Sequence, residues 1–241
     1  MQEYSFKEHL TELKNRLFII LALFLCVFSI CYFLSNDIYK IILTPLVDIL
    51  GDKARKIIYT GLTEAFFAYI KLSAFTAFII IFPFCYYQIY AFLKPGLHRK
   101  EKIWIAGMLL FSSILFYIGC FFMFFVVMPK AWLFFAGYEN TELGMPLVLE
   151  ARISEYLSLV IQLTLSFGIA FQLPIAIILL SATGLVSVSG LKRKRRIVTV
   201  IIFIISAVFT PPDVFSQIAL AIPMILLYEI SIILCKFLKR S

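Results

Sequence analysis

Glu12 and Arg16 stand four residues apart in "HLTELKNRLF", a spacing that sets them on adjoining turns of one helix face. Glu101 lies far downstream in "LKPGLHRKEKIW", a single acid among Lys94, Arg99, Lys100 and Lys102. Each has a plain reading. Glu12 pairs with Arg16 for roughly a few tenths of a kcal/mol, and Glu101 is a solvated neighbour of its lysines. Each also has a chemical one. Two carboxylates on two segments that face the same side can grip a pair of guanidinium groups, and bidentate geometry selects arginine over lysine.

Three further polar sites interrupt stretches that are otherwise almost wholly apolar. "FTPPDVFSQIAL" places Thr210, Pro211, Pro212, Asp213 and Gln217 between two hydrophobic runs. The prolines suit a rigid reversal, and Asp213 suits an N-cap for the helix that follows. The alternative is that its carboxylate also serves a partner inside the membrane. Gln172, in "SFGIAFQLPIAI", is either hydrogen-bonding glue between helices or a functional polar group. Glu64 and Lys71, in "TEAFFAYIKLSAF", share a helix face about 10 Å apart, and either snorkel to an interface or mark function. Pro83 and Pro223 are expected to break or kink the helices that carry them.

Catalytic constellations are missing. There is no H-E-x-x-H, no G-x-S-x-G and no intramembrane aspartate pair, so no enzyme is expected. His9 and His98 lie far apart, and Cys26, Cys31, Cys85, Cys120 and Cys235 sit inside apolar segments without ligand spacing. The cysteines read as small core residues, with no metal, cofactor or disulfide implied.

The elements that position these groups follow from composition. The 241 residues are 62% hydrophobic and 15% charged, with 26 phenylalanines; soluble domains carry about 25% charged residues. Lipid is therefore the solvent for most of the chain, and backbone groups must pair within helices. An all-α integral membrane protein follows, a single domain over 1–241 with six apolar spans at about 17–34, 67–93, 103–128, 156–180, 197–209 and 214–235. The fifth and sixth are short or kinked: thirteen residues give roughly 20 Å of helix against about 30 Å of hydrocarbon. The first is expected to be retained rather than cleaved. Between the first two spans, the run from Ile38 to Leu50 suggests an amphipathic interfacial helix broken at Pro45.

The net charge of +8 is dispersed in short clusters between the apolar runs, which argues for topology rather than nucleic acid. Fifteen of the 22 basic residues fall on one side, among them Lys94, Arg99, Lys100, Lys102 and Lys192 to Arg196, against six on the other. Positive charge stays inside, so both termini are expected in the cytoplasm.

Taken together, these segments resemble TatC, the multispanning core subunit of the twin-arginine protein translocase. The resemblance rests on "HLTELKNRL" at 9–17, "EAFFAYIKLS" at 64–73, "PFCYYQIYAFLKPGLHRKEK" at 83–102 and "FYIGCFFMFFVVMP" at 116–129. It continues through "EYLSLVIQLTLSFGIAFQLPIAI" at 155–177 and "FTPPDVFSQIALAIPMILLYE" at 209–229. It implies a protein of the bacterial inner membrane that binds the twin-arginine signal peptides of folded precursors. Translocation is then driven by the proton-motive force. The implied partners are TatB-like and TatA-like single-span subunits and further copies of the chain. By the same resemblance Glu12 and Glu101 receive the two arginines, with Arg16, Phe92, Pro95 and Leu97 shaping the patch. Asp213 matches the aspartate of the family's signature turn. Gln172 stands where the family usually has glutamate, Lys14 where arginine is common, and "KEK" replaces Glu-Arg-Arg. On physical grounds alone, the alternative is a proton-coupled small-solute transporter or channel subunit.

Overall fold

The computed structural model describes residues 6–50, 58–93, 99–138 and 152–238, with side chains over 10–48, 58–92, 105–138 and 152–237. Among these residues there is no strand; the nearest approach to one is a single bridge between Ile58 and Arg152. The helices are α1 (Phe6–Phe33), α2 (Ser35–Leu50), α3 (Glu64–Leu93), α4 (Arg99–Phe122), α5 (Met128–Ala136), α6 (Ile153–Ala170), α7 (Leu173–Ala182), α8 (Val188–Arg193), α9 (Arg195–Phe209) and α10 (Val214–Leu238). Among the described residues, five stretches are long and apolar enough to cross a membrane: Leu10–Phe33, Glu64–Phe92, Ile105–Ala136, Ile153–Ala182 and Val214–Phe237. The remaining expected span is α9. Its 15 residues give about 22 Å of helix against about 30 Å of hydrocarbon.

Three expectations need correction and one is met. The third apolar segment does not stop at 128: α4 passes through a π turn at Met123–Val127 into α5, which ends at Ala136. Met128 N–H donates to the Met123 carbonyl five residues back, and the widened turn precedes Pro129, which has no N–H to continue the ladder. The fourth segment, expected to kink at the proline after Gln172, does so: it breaks at Phe171–Gln172 into α6 and α7, with Pro174 in the first turn of α7. Pro45 does not break α2. Ile42 and Leu46 are buried on the face that spans it, and that packing outweighs one lost hydrogen bond. Pro83 and Pro223 likewise lie inside continuous helices.

The chain divides into two compact units. The first takes Met1–Ile42 and Gly61–Ile114. Here α1 packs along α3, burying Cys31 against a face of α3 that includes Ala68, Leu72, Ala77 and Ile81. The opposite side of α1 stays open, with Leu17, Phe18, Leu21 and Leu25 exposed as a lipid-facing helix requires.

The second unit takes Leu43–Thr60 and Leu115–Ser241. Its centre is the close approach of Gly119 and Gly168 to their neighbours. A Cβ on Gly119 would lie 2.7 Å from the Phe167 carbonyl oxygen, and one on Gly168 would lie 2.5 Å from the Phe116 ring. Small residues let backbones meet where no hydrophobic effect drives helices together. Around this crossing α10 packs on α7, α9, α6 and α8. The rings of Trp132 and Tyr156 stack at 5.0 Å, and those of Phe134 and Phe215 at 5.3 Å, fastening α5 to α6 and to the start of α10.

Candidate functional site

In the first unit, the sequence-predicted carboxylate Glu12 is already engaged. Arg16 donates from Nε at 3.0 Å and from Nη2 to one oxygen, Oε1, of Glu12. The same guanidinium donates from Nη1 to Gln88 Oε1 at 3.0 Å and from Nη2 to the Ala91 carbonyl at 3.0 Å. Both partners of the ion pair are about three-quarters buried, with side-chain exposures of 24% and 26%. Ala91 lies in the last turn of α3, whose carbonyls have no intrahelical partner, and a cation there also meets the negative end of the helix dipole. Arg16 therefore joins a carboxylate, an amide and a helix terminus. Phe92, half-buried, follows directly.

Glu101 occupies the first turn of α4, while its side chain, Pro95 and Leu97 lie outside the described residues. At the far end of α3, Glu64 Oε2 accepts from Gly61 N–H at 3.1 Å, a capping contact, and Lys71 is exposed. The two do not form an ion pair with each other among the described residues.

In the second unit the "TPPD" turn is built from local bonds. Thr210 is buried and donates from Oγ1 to the Ser206 carbonyl at 2.8 Å. Asp213 Oδ1 accepts from Ser216 N–H at 2.6 Å and caps α10. Asp213 Oδ2 and Ser216 Oγ are buried with no hydrogen-bond partner among the described residues. Gln217 donates from Nε2 to the Phe203 carbonyl at 3.2 Å, tying α10 back to α9.

Sequence reasoning missed two residues here. Because the chain reverses after Thr210, the Phe209 carbonyl loses the partner it would have in a longer helix. Two α6 side chains reach it: Ser166 Oγ at 2.8 Å, its one proton shared with the Gln162 carbonyl at 2.6 Å, and Gln162 Nε2, which donates at 3.2 Å. Their i, i+4 spacing was the available signal; the partner, more than forty residues away in sequence, carried none.

Gln172 stands at the α6–α7 break and reaches back to the Gly168 carbonyl at 3.5 Å. It lines a groove of about 340 Å³ with Ser166, Ile169, Ile205, Phe209 and Met224. The groove is therefore apolar with two polar side chains, beside the turn end of the short α9. Among the described residues no group of three His, Cys, Asp or Glu side chains is placed to hold a metal.

A model of the family described as Sec-independent protein translocase protein (TatC) matches residues 8–223. The chain belongs to the TatC family. It is 56% identical over 239 residues to the Sec-independent protein translocase protein TatC of Rickettsia prowazekii, covering 99% of this chain and 95% of that one. The Escherichia coli K12 protein of the same name is 38% identical over 229 residues, covering 95% and 87%. A crystal structure of the twin arginine translocase receptor TatC in DDM superposes with a TM-score of 0.78 at 36% identity, covering 94% of this chain and 99% of that chain. This TatC-family chain is thus a membrane-embedded core component of the Sec-independent twin-arginine translocase, a transport subunit rather than an enzyme. The solute-transporter alternative finds no support in these relationships.

Proposed function

We propose that the chain recognises twin-arginine signal peptides through Glu12 and Glu101, with Arg16, Phe92, Pro95 and Leu97 around them. The observation that carries this reading is that Glu12 already binds a guanidinium, that of Arg16, in a setting about three-quarters buried. A signal arginine offers the same group. Exchange of one guanidinium for another costs little, because Arg16 keeps Gln88 and the Ala91 carbonyl when it releases Glu12. Capture is then selective for arginine yet readily reversed, as a receptor that must pass its cargo on requires.

In this reading all six apolar segments cross the bacterial inner membrane, with both termini and the basic loops cytoplasmic. The short α9 leaves the "TPPD" turn below the outer surface. A TatB-like or TatA-like span docks beside it, where Asp213, Gln217, Thr210 and Gln172 offer polar contacts next to Pro211 and Pro212. Several copies assemble in the working complex, and the proton-motive force drives transport.

Binding of a fluorescent Arg-Arg signal peptide to the purified, reconstituted chain tests the receptor reading. Glu12→Gln and Glu101→Gln should each weaken binding at least tenfold, since a hydrogen bond to a charged group contributes about 1.5–3 kcal/mol. A Lys-Lys peptide should bind weakly to every form. Unchanged affinity in both variants would overturn the assignment.

A further inference from the structure

We propose that the basic turn at 192–196 is a binding surface for the headgroups of anionic phospholipids. Five consecutive cations, Lys192, Arg193, Lys194, Arg195 and Arg196, are exposed from the last turn of α8, through Lys194, into the first turn of α9. As a sequence feature they set topology. The structure adds that they are organised. Ser187 caps α8 by accepting from Gly190 N–H at 3.1 Å, and Leu191 is buried. The Leu191 carbonyl accepts from Tyr228 Oη at 2.8 Å and from Lys194 N–H at 3.1 Å. The turn is thereby fixed to α10 rather than left as a free loop.

Within it, one cation is already used. Arg195 Nη2 donates to Glu229 Oε2 at 2.6 Å. The other four have no carboxylate partner among the described residues. They present two guanidinium forks and two ammonium groups, the donor set that suits a phosphodiester.

The neighbouring apolar surface argues for a lipid over an acidic polypeptide. Ile197, Val200, Ile201, Ile204 and Val208 are exposed, and their spacing puts them on one stripe of α9 that begins at the cations. Ile202 and Ser206 are buried on the other side. A phospholipid matches both features at once: phosphate against the basic turn, acyl chain along the stripe. An acidic peptide would match only the first. Basic clusters at a membrane surface bind anionic lipid electrostatically, and here the backbone that carries the cations is fixed to α10 before the lipid arrives.

The test uses the full chain in phosphatidylcholine vesicles containing either spin-labelled phosphatidylglycerol or spin-labelled phosphatidylcholine. The motionally restricted fraction should favour phosphatidylglycerol several-fold, and raised salt should reduce the preference. The variant K192Q/R193Q/K194Q/R196Q, with Arg195 retained, should bring it to about parity. A charge-preserving exchange, K192R/R193K/K194R/R196K, should keep most of it. Because neutralising four cations can disturb insertion, the pairs K192Q/R193Q and K194Q/R196Q are measured too, and each should lose part of the preference. The proposal falls if the neutralised variants keep full selectivity. It also falls if neutralisation releases a co-purifying acidic protein while the lipid preference persists.

Discussion

Arg16 lays two nitrogens, Nε and Nη2, on a single carboxylate oxygen of Glu12 one turn earlier in α1. If Glu12 receives a signal arginine, as proposed, Arg16 is its resident competitor. Arg16→Gln should cost about 1–2 kcal/mol of stability through its lost charged hydrogen bonds. It should also tighten binding of an Arg-Arg peptide several-fold, read by thermal unfolding and by peptide titration on the same sample. Weaker binding would make Arg16 a positioning residue for Glu12 instead.

The Phe209 carbonyl draws on two α6 side chains, and this redundancy is testable. Ser166→Ala or Gln162→Ala alone leaves one donor in place and should be mild. The double variant orphans a carbonyl and should lose about 1–3 kcal/mol, more than the two single losses together. Thermal unfolding in detergent micelles gives the comparison.

Asp213 separates two roles by substitution. Asn can keep the cap on Ser216 N–H, so Asp213→Asn should unfold near the wild-type temperature, while Asp213→Ala should lose about 1 kcal/mol. If the buried second oxygen serves a partner or a proton, the Asn variant will assemble and bind precursor yet transport poorly in inverted vesicles. Full transport by Asn would reduce Asp213 to a helix cap.

Gly119 and Gly168 both sit at crossings too close for a side chain, but what they face differs. At Gly119 the obstacle is the Phe167 backbone carbonyl; at Gly168 it is a ring. Gly119→Ala should therefore be the worse change, at about 1–3 kcal/mol for overpacking. A ring can give way where a helix backbone cannot. Equal losses would mean that the Phe116 ring is as rigidly held as the backbone.

Whether α9 crosses the membrane is decided by labelling. Once the native cysteines are replaced, a single cysteine at Leu185, before α8, should react with a membrane-impermeant reagent from the inside, and one at Pro212, after α9, only from the outside and slowly, because its turn is proposed to lie below the outer surface. Both are exposed. Reaction from the same side would remove α9 from the crossings.

Much of this was legible in the sequence because it is local. The apolar runs mark the long helices, "TPPD" marks a reversal with a cap, and Glu12 and Arg16 pair at helical spacing. What escaped is set by distant partners. Pro45 sits comfortably in α2 because Ile42 and Leu46 are buried beside it. The anchorage of Arg16 depends on Gln88, 72 residues away. Nothing around Met123 announces a π turn, since one added residue per turn leaves the apolar pattern of a lipid-facing helix almost unchanged.

At its basic end α9 is joined to α10 by Arg195 and Glu229, and at its turn end Phe209 is joined to α6 by Ser166 and Gln162. Mechanically it is a strut pinned at both ends to different posts, rather than a lever free at one. A displacement of α9 therefore pulls on α6 and α10 together, so a movement that begins beside this helix is shared by three helices.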